Sequence, residues 1–282
     1  MTRFAYVDGR FLPHDEAVVH VEDRGFQFGD AIYEVWSVRD GQLLDADGHF
    51  ARLERSLGEL RIANPKSRAG YQLLIGELLR RNRLRDGLVY LQISRGRARR
   101  DHAFPAAGTR PTLVLTSKRL DRVAAQLRAD AGVGVITTPD LRWGRCDIKT
   151  VNLLPNVLAK QAAIEAGAVE AWLVDSSGLV TEGSSTNAWI VTADGRLVTR
   201  QADQGILHGI TRASLMRQAE ELGYVIEERA FSVDEAVSAR EAFMTSATSY
   251  VTPIVRIDGR PVGNGAPGSV ATALRQAYLD SA

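Results

Sequence analysis

Hydrophobic and polar positions along this chain follow two different periods, and Asp-Gly pairs separate the segments that share one. The runs YVDGRF at 6–11, VRDGQL at 38–43, TADGRLV at 192–198 and RIDGRPV at 256–262 each set such a pair inside a β-rich stretch. Asp-Gly tolerates the positive backbone angles of a tight turn, so four hairpins are predicted. The period lengthens to that of a helix in HFARLERSLGELRI, where Phe50, Leu53, Leu57 and Leu60 share one stripe, and again in YQLLIGELLRRNRL from Tyr71. Both segments predict amphipathic helices. LVYLQISRG and PTLVLTS then return to strand character.

The segment KRLDRVAAQLRADAG at 118–132 is polar and interrupts the strand pattern. It puts a domain boundary near residue 122, giving an α/β domain over 1–122 and a second α/β domain over 123–282. The second half opens with VGVITTP, passes through RWGRCDIKTVNLLPN and enters the helix LLPNVLAKQAAIEAG, which Gly167 is expected to close. Lys149 is thereby expected where a strand meets a helix. VEAWLVDSSG and STNAWIVTADG read as hairpin strands, ITRASLMRQAEELG as a helix, EAFMTSATS as strand and loop, and VATALRQAYLD as a C-terminal helix. There is no repeat long enough for a solenoid.

Composition narrows the function classes. With 282 residues and 45% hydrophobic content the chain can build sizeable cores, and a net charge of +1 gives no field that would draw it to nucleic acid or an anionic membrane. A small or neutral partner is expected. The single cysteine, Cys146, excludes an internal disulfide framework and agrees with a cytoplasmic location. MTRFAYVDGR lacks the apolar core of a signal peptide, and no apolar run reaches the ~18 residues of a membrane span.

One composition detail points to chemistry. Of 35 basic residues only Lys66, Lys118, Lys149 and Lys160 are lysine. Where arginine is the default cation, a retained lysine raises the question of what an ammonium does that a guanidinium cannot: a neutralised amine attacks carbonyls and forms Schiff bases, whereas arginine stays protonated. A surface remnant is the bland alternative for any one of them.

Other segments carry candidate sites, each with an ordinary reading beside it. In LHGITRASL, Gly209 and Ile210 lead into Thr211 at a helix start, an arrangement suited to an anion, although Thr211 can equally be a plain N-cap. MTSATS at 244–249 crowds hydroxyls after a strand; the two clusters could together cup a phosphate, or the second is only a polar turn. No Walker-type or G-x-G-x-x-G signature is present. Glu182 in VTEGSSTNAW is either a solvated turn residue or, if buried against a ring nitrogen, a group that keeps that nitrogen protonated. SRGRARRDHAFP gathers Arg95, Arg97, Arg99, Arg100 and His102. Capture of a carboxylate by paired guanidinium donors ranks above nucleic-acid contact there, with a solvated charge run as the bland reading. In EDRGFQFGDAIYEV, Gly25 and Gly29 are expected to allow tight turning before a strand near Ala31, on which Tyr33 shares a face with Val35. The five histidines show no i, i+4 pair and there is no second cysteine, so a metal site is not expected. A G-x-S-x-G elbow is also absent.

Six of these segments, EDRGFQFGDAIYEV, RGRARRDHAFP, RWGRCDIKTVNLLPNVLAKQ, VTEGSSTN, GITR and FMTSATSYVTP, resemble in order and spacing those of the fold-type IV, or class IV, pyridoxal-phosphate aminotransferases, and within them the D-amino-acid-specific members. The resemblance implies a two-domain α/β (α+β) enzyme, with a small N-terminal domain, a larger C-terminal domain and pyridoxal 5'-phosphate between them. It implies that Lys149 carries the cofactor as a Schiff base and moves the proton at the substrate carbon, and that Glu182 faces the pyridine nitrogen. Arg52, taken to lie on the polar side of its helix, would reach the phosphate together with Gly209, Ile210, Thr211 and the loop at Ser246 and Ala247, while Leu207 packs against the ring. Tyr33, Arg100 and His102 resemble a carboxylate trap whose Arg-x-His loop comes from the neighbouring subunit of a homodimer. Ala247 departs from the hydroxyl residue of the D-specific pattern; its amide can still donate, and the loss is worth the ~0.5–1.5 kcal/mol of one hydrogen bond.

The implied function is ping-pong transamination between a D-amino acid such as D-alanine and a 2-oxo acid such as 2-oxoglutarate, with no nucleic-acid or membrane partner. Branched-chain L-amino-acid and (R)-amine aminotransferases share the fold and are the first alternatives. A lyase acting on aminodeoxychorismate is the next, and a binding module built on the arginine loop is the non-enzymatic one.

Overall fold

Three of the four hairpins predicted at Asp-Gly pairs have two-residue turns with both central residues at positive φ: Asp8 and Gly9, Asp40 and Gly41, Asp258 and Gly259. In the computed structural model, which describes residues 3–281, the first of these joins β1 (Phe4–Val7) to β2 (Arg10–Pro13). A short helix, α1 (Arg24–Phe28), precedes β3 (Ala31–Arg39), and the second turn joins β3 to β4 (Gln42–Leu43). Two helices follow, α2 (Ala46–Glu59) and α3 (Arg68–Asn82), the latter starting earlier than Tyr71 because Ser67 caps it by accepting from Gly70 N at 3.2 Å. β5 (Gly87–Ser94) and β6 (Thr112–Arg119) complete an antiparallel sheet of order β2-β1-β6-β5-β3-β4 among the described residues. Phe50, Leu53 and Leu57 of α2 and Ile75 and Leu78 of α3 bury themselves against Ile32, Trp36, Val89, Leu91 and Ile93 of that sheet.

The polar stretch at the expected boundary is a helix, α4 (Arg122–Ala131), followed by β7 (Val133–Pro139). After a long connection comes α5 (Leu154–Glu165), ended by Gly167 at φ +74. β8 (Glu170–Val174), β9 (Val180–Gly183), β10 (Asn187–Val191) and β11 (Leu197–Thr199) precede α6 (Ile210–Glu221) and β12 (Ile226–Glu228). Then come α7 (Val233–Ser238), β13 (Glu241–Ser246), β14 (Tyr250–Ile257), β15 (Arg260–Pro261) and α8 (Ser269–Ser281). The strands form a mixed sheet of order β12-β11-β10-β13-β14-β7-β8-β9, with β15 on β14. Its central strands are buried on both faces, which is why NAWIV and EAFMTS read as continuous apolar runs rather than alternating ones.

The chain divides into two compact units. One runs through Asp121 and takes back Ile148–Asn152; the other holds Arg122–Asp147 and the chain from Leu153 onward. A single boundary near residue 122 does not allow for that return. The cause is an open strand edge: β4 pairs only with Val38 and Arg39 of β3, so the first half of β3 has no partner on that side. Residues 149–151 fill it. Tyr33 N donates to Lys149 O at 2.9 Å, Val151 N donates to Ala31 O at 3.2 Å, and Ile148 joins the first unit's core. Lys149 therefore lies within the connection from β7 to α5, some ten residues beyond the end of β7, rather than at a junction of strand and helix. Among the described residues no helix is long and apolar enough to cross a membrane, and no cluster of His, Cys, Asp and Glu is arranged to hold a metal ion.

Candidate active site

In the first unit the candidate residues gather on both faces of β3. Alternation sends Tyr33 to one face, where its ring stacks on Tyr90 with centroids 5.6 Å apart. Lys149 Nζ stands over the Tyr33 ring, 4.2 Å from its centroid, and Lys149 N reaches Ser56 Oγ of α2 at 3.5 Å. The opposite face carries Ile32, Glu34 and Trp36 into the core, which makes Glu34 a carboxylate on an otherwise apolar face.

Glu34 is fully buried and satisfied by α2. Arg52 donates Nε to Oε1 at 2.7 Å and Nη2 to Oε2 at 2.9 Å, and His49 Nδ1 lies 2.8 Å from Oε2. Arg52 is thus 7% exposed and not on the polar side of its helix, because its guanidinium neutralises a buried carboxylate. Burial alone pushes the Glu34 carboxyl up, but the charge and hydrogen bonds of Arg52 outweigh it and hold the group down at about 2. Burial lowers His49 below its ordinary value despite the neighbouring carboxylate.

Arg100 and His102 lie on the exposed connection from β5 to β6. Both rest on Phe28 of α1: the Arg100 guanidinium is 5.2 Å from that ring and His102 is 5.5 Å away, centroid to centroid. Arg95, grouped with them by sequence, instead turns inward and clamps Asp30, with Nε to Oδ2 at 2.7 Å and Nη2 to Oδ1 at 2.9 Å. Gly29 makes the expected left-handed turn at φ +67. Gly25 does not: it lies inside α1, and a Cβ there would meet Ser94 Cβ at 2.8 Å, so close packing accounts for it.

In the second unit Glu182, at the end of β9, is 5% exposed. Its Oε1 accepts from Arg142 Nη1 and from Leu207 N at 3.1 Å, and its Oε2 accepts from Asn187 Nδ2 at 2.9 Å. Arg142 in turn donates Nε to Asp140 Oδ1 at 2.9 Å, Nη2 to Asp140 Oδ2 at 2.7 Å, and Nη2 to Gly205 O at 3.0 Å. Burial works against both charged forms here, yet the pairing wins: Arg142 is raised above and Asp140 lowered below the ordinary value. Asn187 Nδ2 also donates to Leu207 O at 3.0 Å, which ties the approach to α6 to the strand bearing Glu182.

α6 begins at Ile210 with Gly209 as N-cap, so Thr211 sits one position inside the helix and does not cap it. Its Oγ1 is buried without a hydrogen-bond partner, beside backbone N–H groups of a first turn that have no carbonyl four residues back. Ser246 Oγ, at the end of β13, meets Ser249 Oγ at 2.8 Å and accepts from Ser249 N at 3.2 Å, with half-buried Ala247 next to it. Arg142, Asn187, Glu34 and His49 were not singled out by sequence. The signals were there: a carboxylate on the apolar face of β3, a histidine and an arginine three apart on the apolar stripe of α2, and an Asp-x-Arg pair just ahead of the lysine.

A family model described as amino-transferase class IV matches residues 31–257. A D-alanine aminotransferase of Bacillus licheniformis is 42% identical to this chain over 276 residues, which are 96% of each protein. One from Staphylococcus aureus (strain MSSA476) is 37% identical over 273 residues, 97% of this chain and 95% of that protein. A crystal structure of a T.th. branched-chain amino acid aminotransferase with pyridoxamine 5'-phosphate superposes with a TM-score of 0.89 at 28% identity, covering 100% of this chain and 94% of that one.

Proposed function

The chain belongs to the class IV aminotransferases, enzymes that use pyridoxal 5'-phosphate, and from that premise we propose that it transfers an amino group between a D-amino acid, D-alanine among them, and a 2-oxo acid such as 2-oxoglutarate. The residues fit the cofactor. Thr211 Oγ1 is a buried hydroxyl lacking a partner at a helix N-terminus, which suits a phosphate oxygen. A Cβ on Gly209 would fall 2.0 Å from Asn187 Oδ1, so this turn keeps its shape only with glycine. Lys149 supplies the amine and Glu182 the anion that the chemistry needs.

When bound, the cofactor supplies an electron-accepting ring for the pair left at the substrate's α-carbon. Lys149 Nζ would hold the cofactor between turnovers and, once displaced by substrate, would move the proton between the substrate's α-carbon and the cofactor's C4′. Glu182, fixed by Arg142, Leu207 N and Asn187, would present negative charge to the ring nitrogen and favour its protonated form. On this reading Arg52, the first amides of α6 and the loop at Ser246 and Ala247 would hold the phosphate, and Leu207 would pack against the ring. Tyr33, Arg100 and His102 bind the substrate carboxylate and so decide which hydrogen on the α-carbon faces the base.

The D reading is carried by one observation: Arg100 and His102 lie against the same ring, so a guanidinium and an imidazole are offered side by side. In the same proposal the enzyme is a cytoplasmic homodimer whose Arg100 loop serves the neighbouring subunit. The exposed Leu154, Val157, Leu158 and Ile164 along α5 support self-association, and the lone cysteine agrees with the compartment. Purified protein is expected to absorb in the visible and to bleach with borohydride in wild type. Lys149→Arg should lose both the bleaching and turnover, and substantial turnover in that variant sinks the role of Lys149. D-alanine should be a far better donor to 2-oxoglutarate than L-leucine; the reverse order would replace this reading with the branched-chain one that the 28%-identical structure favours.

A further inference from the structure

The connection from Ser94 to Thr112 is exposed along most of its length, yet three anchors hold its first half. Buried Arg24 of α1 donates Nη1 to Asp101 O at 2.6 Å and Nη2 to His102 O at 3.5 Å. Phe28, one helical turn further on, lies under Arg100, His102 and Arg24 itself, whose guanidinium is 4.8 Å from the ring. Phe104, just past the tripeptide, is gripped between the guanidinium groups of Arg95 at 3.7 Å and Arg61 at 4.8 Å. Asp30 joins two of these anchors, accepting Arg24 Nε at 2.8 Å as well as both donors of Arg95.

The arrangement has a direction. Arg24 draws the carbonyls of Asp101 and His102 toward the core, and Phe28 receives the side chains of Arg100 and His102 on one apolar ring. Within the turn, Asp101 Oδ1 accepts from Ala103 N at 3.1 Å, so the acidic side chain between them is spent on the backbone. A solvated charge run would need neither a buried arginine on its carbonyls nor a shared aromatic support.

We propose that Arg24 and Phe28 are positioning residues that hold Arg100 and His102 as a preset pair, and that they thereby set the selectivity for substrates bearing an α-carboxylate. The proposal rests on the reading of Arg100 and His102 as carboxylate ligands. Preset donors bind a carboxylate without first being ordered, and small misplacement of such groups is costly. The loss should therefore appear in substrate capture and not in cofactor attachment.

The test is steady-state kinetics on the holoenzyme with D-alanine, together with the visible absorbance of the bound cofactor. Phe28→Leu and Arg24→Gln should each raise KM by about tenfold or more with a smaller change in kcat and an unchanged cofactor spectrum. Phe28→Tyr, which keeps the ring, should restore KM. Because Phe28 acts through Arg100 and His102, adding Phe28→Leu to the Arg100→Ala, His102→Ala variant should raise KM no further. If Arg100→Ala raises KM and Phe28→Leu does not, positioning is refuted while the carboxylate reading stands. A further rise in KM when Phe28→Leu is added to the variant lacking both Arg100 and His102 also refutes it. If Arg100→Ala itself leaves KM unchanged, the carboxylate reading falls and the proposal with it. Phe28 is half-buried, so its variants decide the matter even where Arg24→Gln fails to fold.

Discussion

Replacing Glu34 by glutamine keeps the side chain's shape and one acceptor but removes the charge that neutralises Arg52. Its carboxyl lies at about 2 instead of the ordinary 4.5, in a group with no solvent exposure. At about 1.4 kcal/mol per pH unit, that depression corresponds to roughly 3 kcal/mol of folding free energy at neutral pH. Breaking one side of a buried ion pair gives the same order, about 3–5 kcal/mol, because the surviving arginine is left buried without its counter-charge. The two routes agree, so Glu34→Gln should destabilise the first unit by about 3 kcal/mol.

The sign with pH follows from the depressed value. A lowered folded pKa contributes stability that is fully present above the unfolded value of 4.5 and is lost as pH falls toward about 2. The gap between wild type and Glu34→Gln should therefore be flat from neutrality to about pH 5.5 and shrink below 4.5. Urea titration of the cofactor-free protein, read by hydrogen exchange of the α2 amides, isolates this unit and leaves the proposed phosphate contact of Arg52 out of the comparison. A difference under about 1 kcal/mol at pH 7 would refute the reasoning. So would a gap that widens on acidification.

Three further outcomes are expected. Gly209→Ala would drive a Cβ to within 2.0 Å of Asn187 Oδ1, so the start of α6 must shift; cofactor affinity should fall about tenfold or more by equilibrium titration, with secondary structure by circular dichroism retained. Gly167→Ala has open space around it but a φ of +74, so it should cost about 1 kcal/mol in urea unfolding without affecting turnover. Burial pushes the Cys146 thiol up to about 11, with Glu182 and Asp140 adding to it against Arg142, so at pH 8 it should react with iodoacetamide far more slowly than a free thiol, as followed by mass spectrometry.

Local chemistry made much of this fold readable. Each of the four predicted Asp-Gly turns lies at a hairpin, Gly167 ends α5, and the stripe of Phe50, Leu53 and Leu57 packs as its period requires. The misreadings are tertiary in origin. The return of residues 148–152 to the first unit depends on an unpaired edge of β3, which arises only because β4 is two residues long. Arg52 was expected on a polar face because charge is normally solvated; a buried carboxylate on the neighbouring strand reverses that preference. Thr211 looks like a cap because a hydroxyl residue at a helix start usually is one, whereas Gly209 itself takes the cap position and leaves the hydroxyl one residue inside.

Lysine scarcity shows how far a compositional signal reaches. It marks Lys149 and Lys160 equally, and the two differ only in surroundings. Lys160 Nζ donates to Val169 O at 2.5 Å and lies 3.5 Å from Glu170 Oε1, a bracing contact between α5 and β8 that uses an ammonium as donor and charge. Charge and donors are what arginine also offers, so nothing in that setting calls for an amine that can lose its proton. Lys149 Nζ stands instead over the face of Tyr33, with its carbonyl accepting from Tyr33 N of β3 and its amide donating to Ser56 Oγ of α2. An amine so placed is fixed in position without being committed to a carboxylate, which is the condition a nucleophilic lysine needs. Rarity therefore selected the candidates, and the edge pairing of residues 149–151 with β3 is what sets Lys149, the proposed carrier of the cofactor, apart from Lys160.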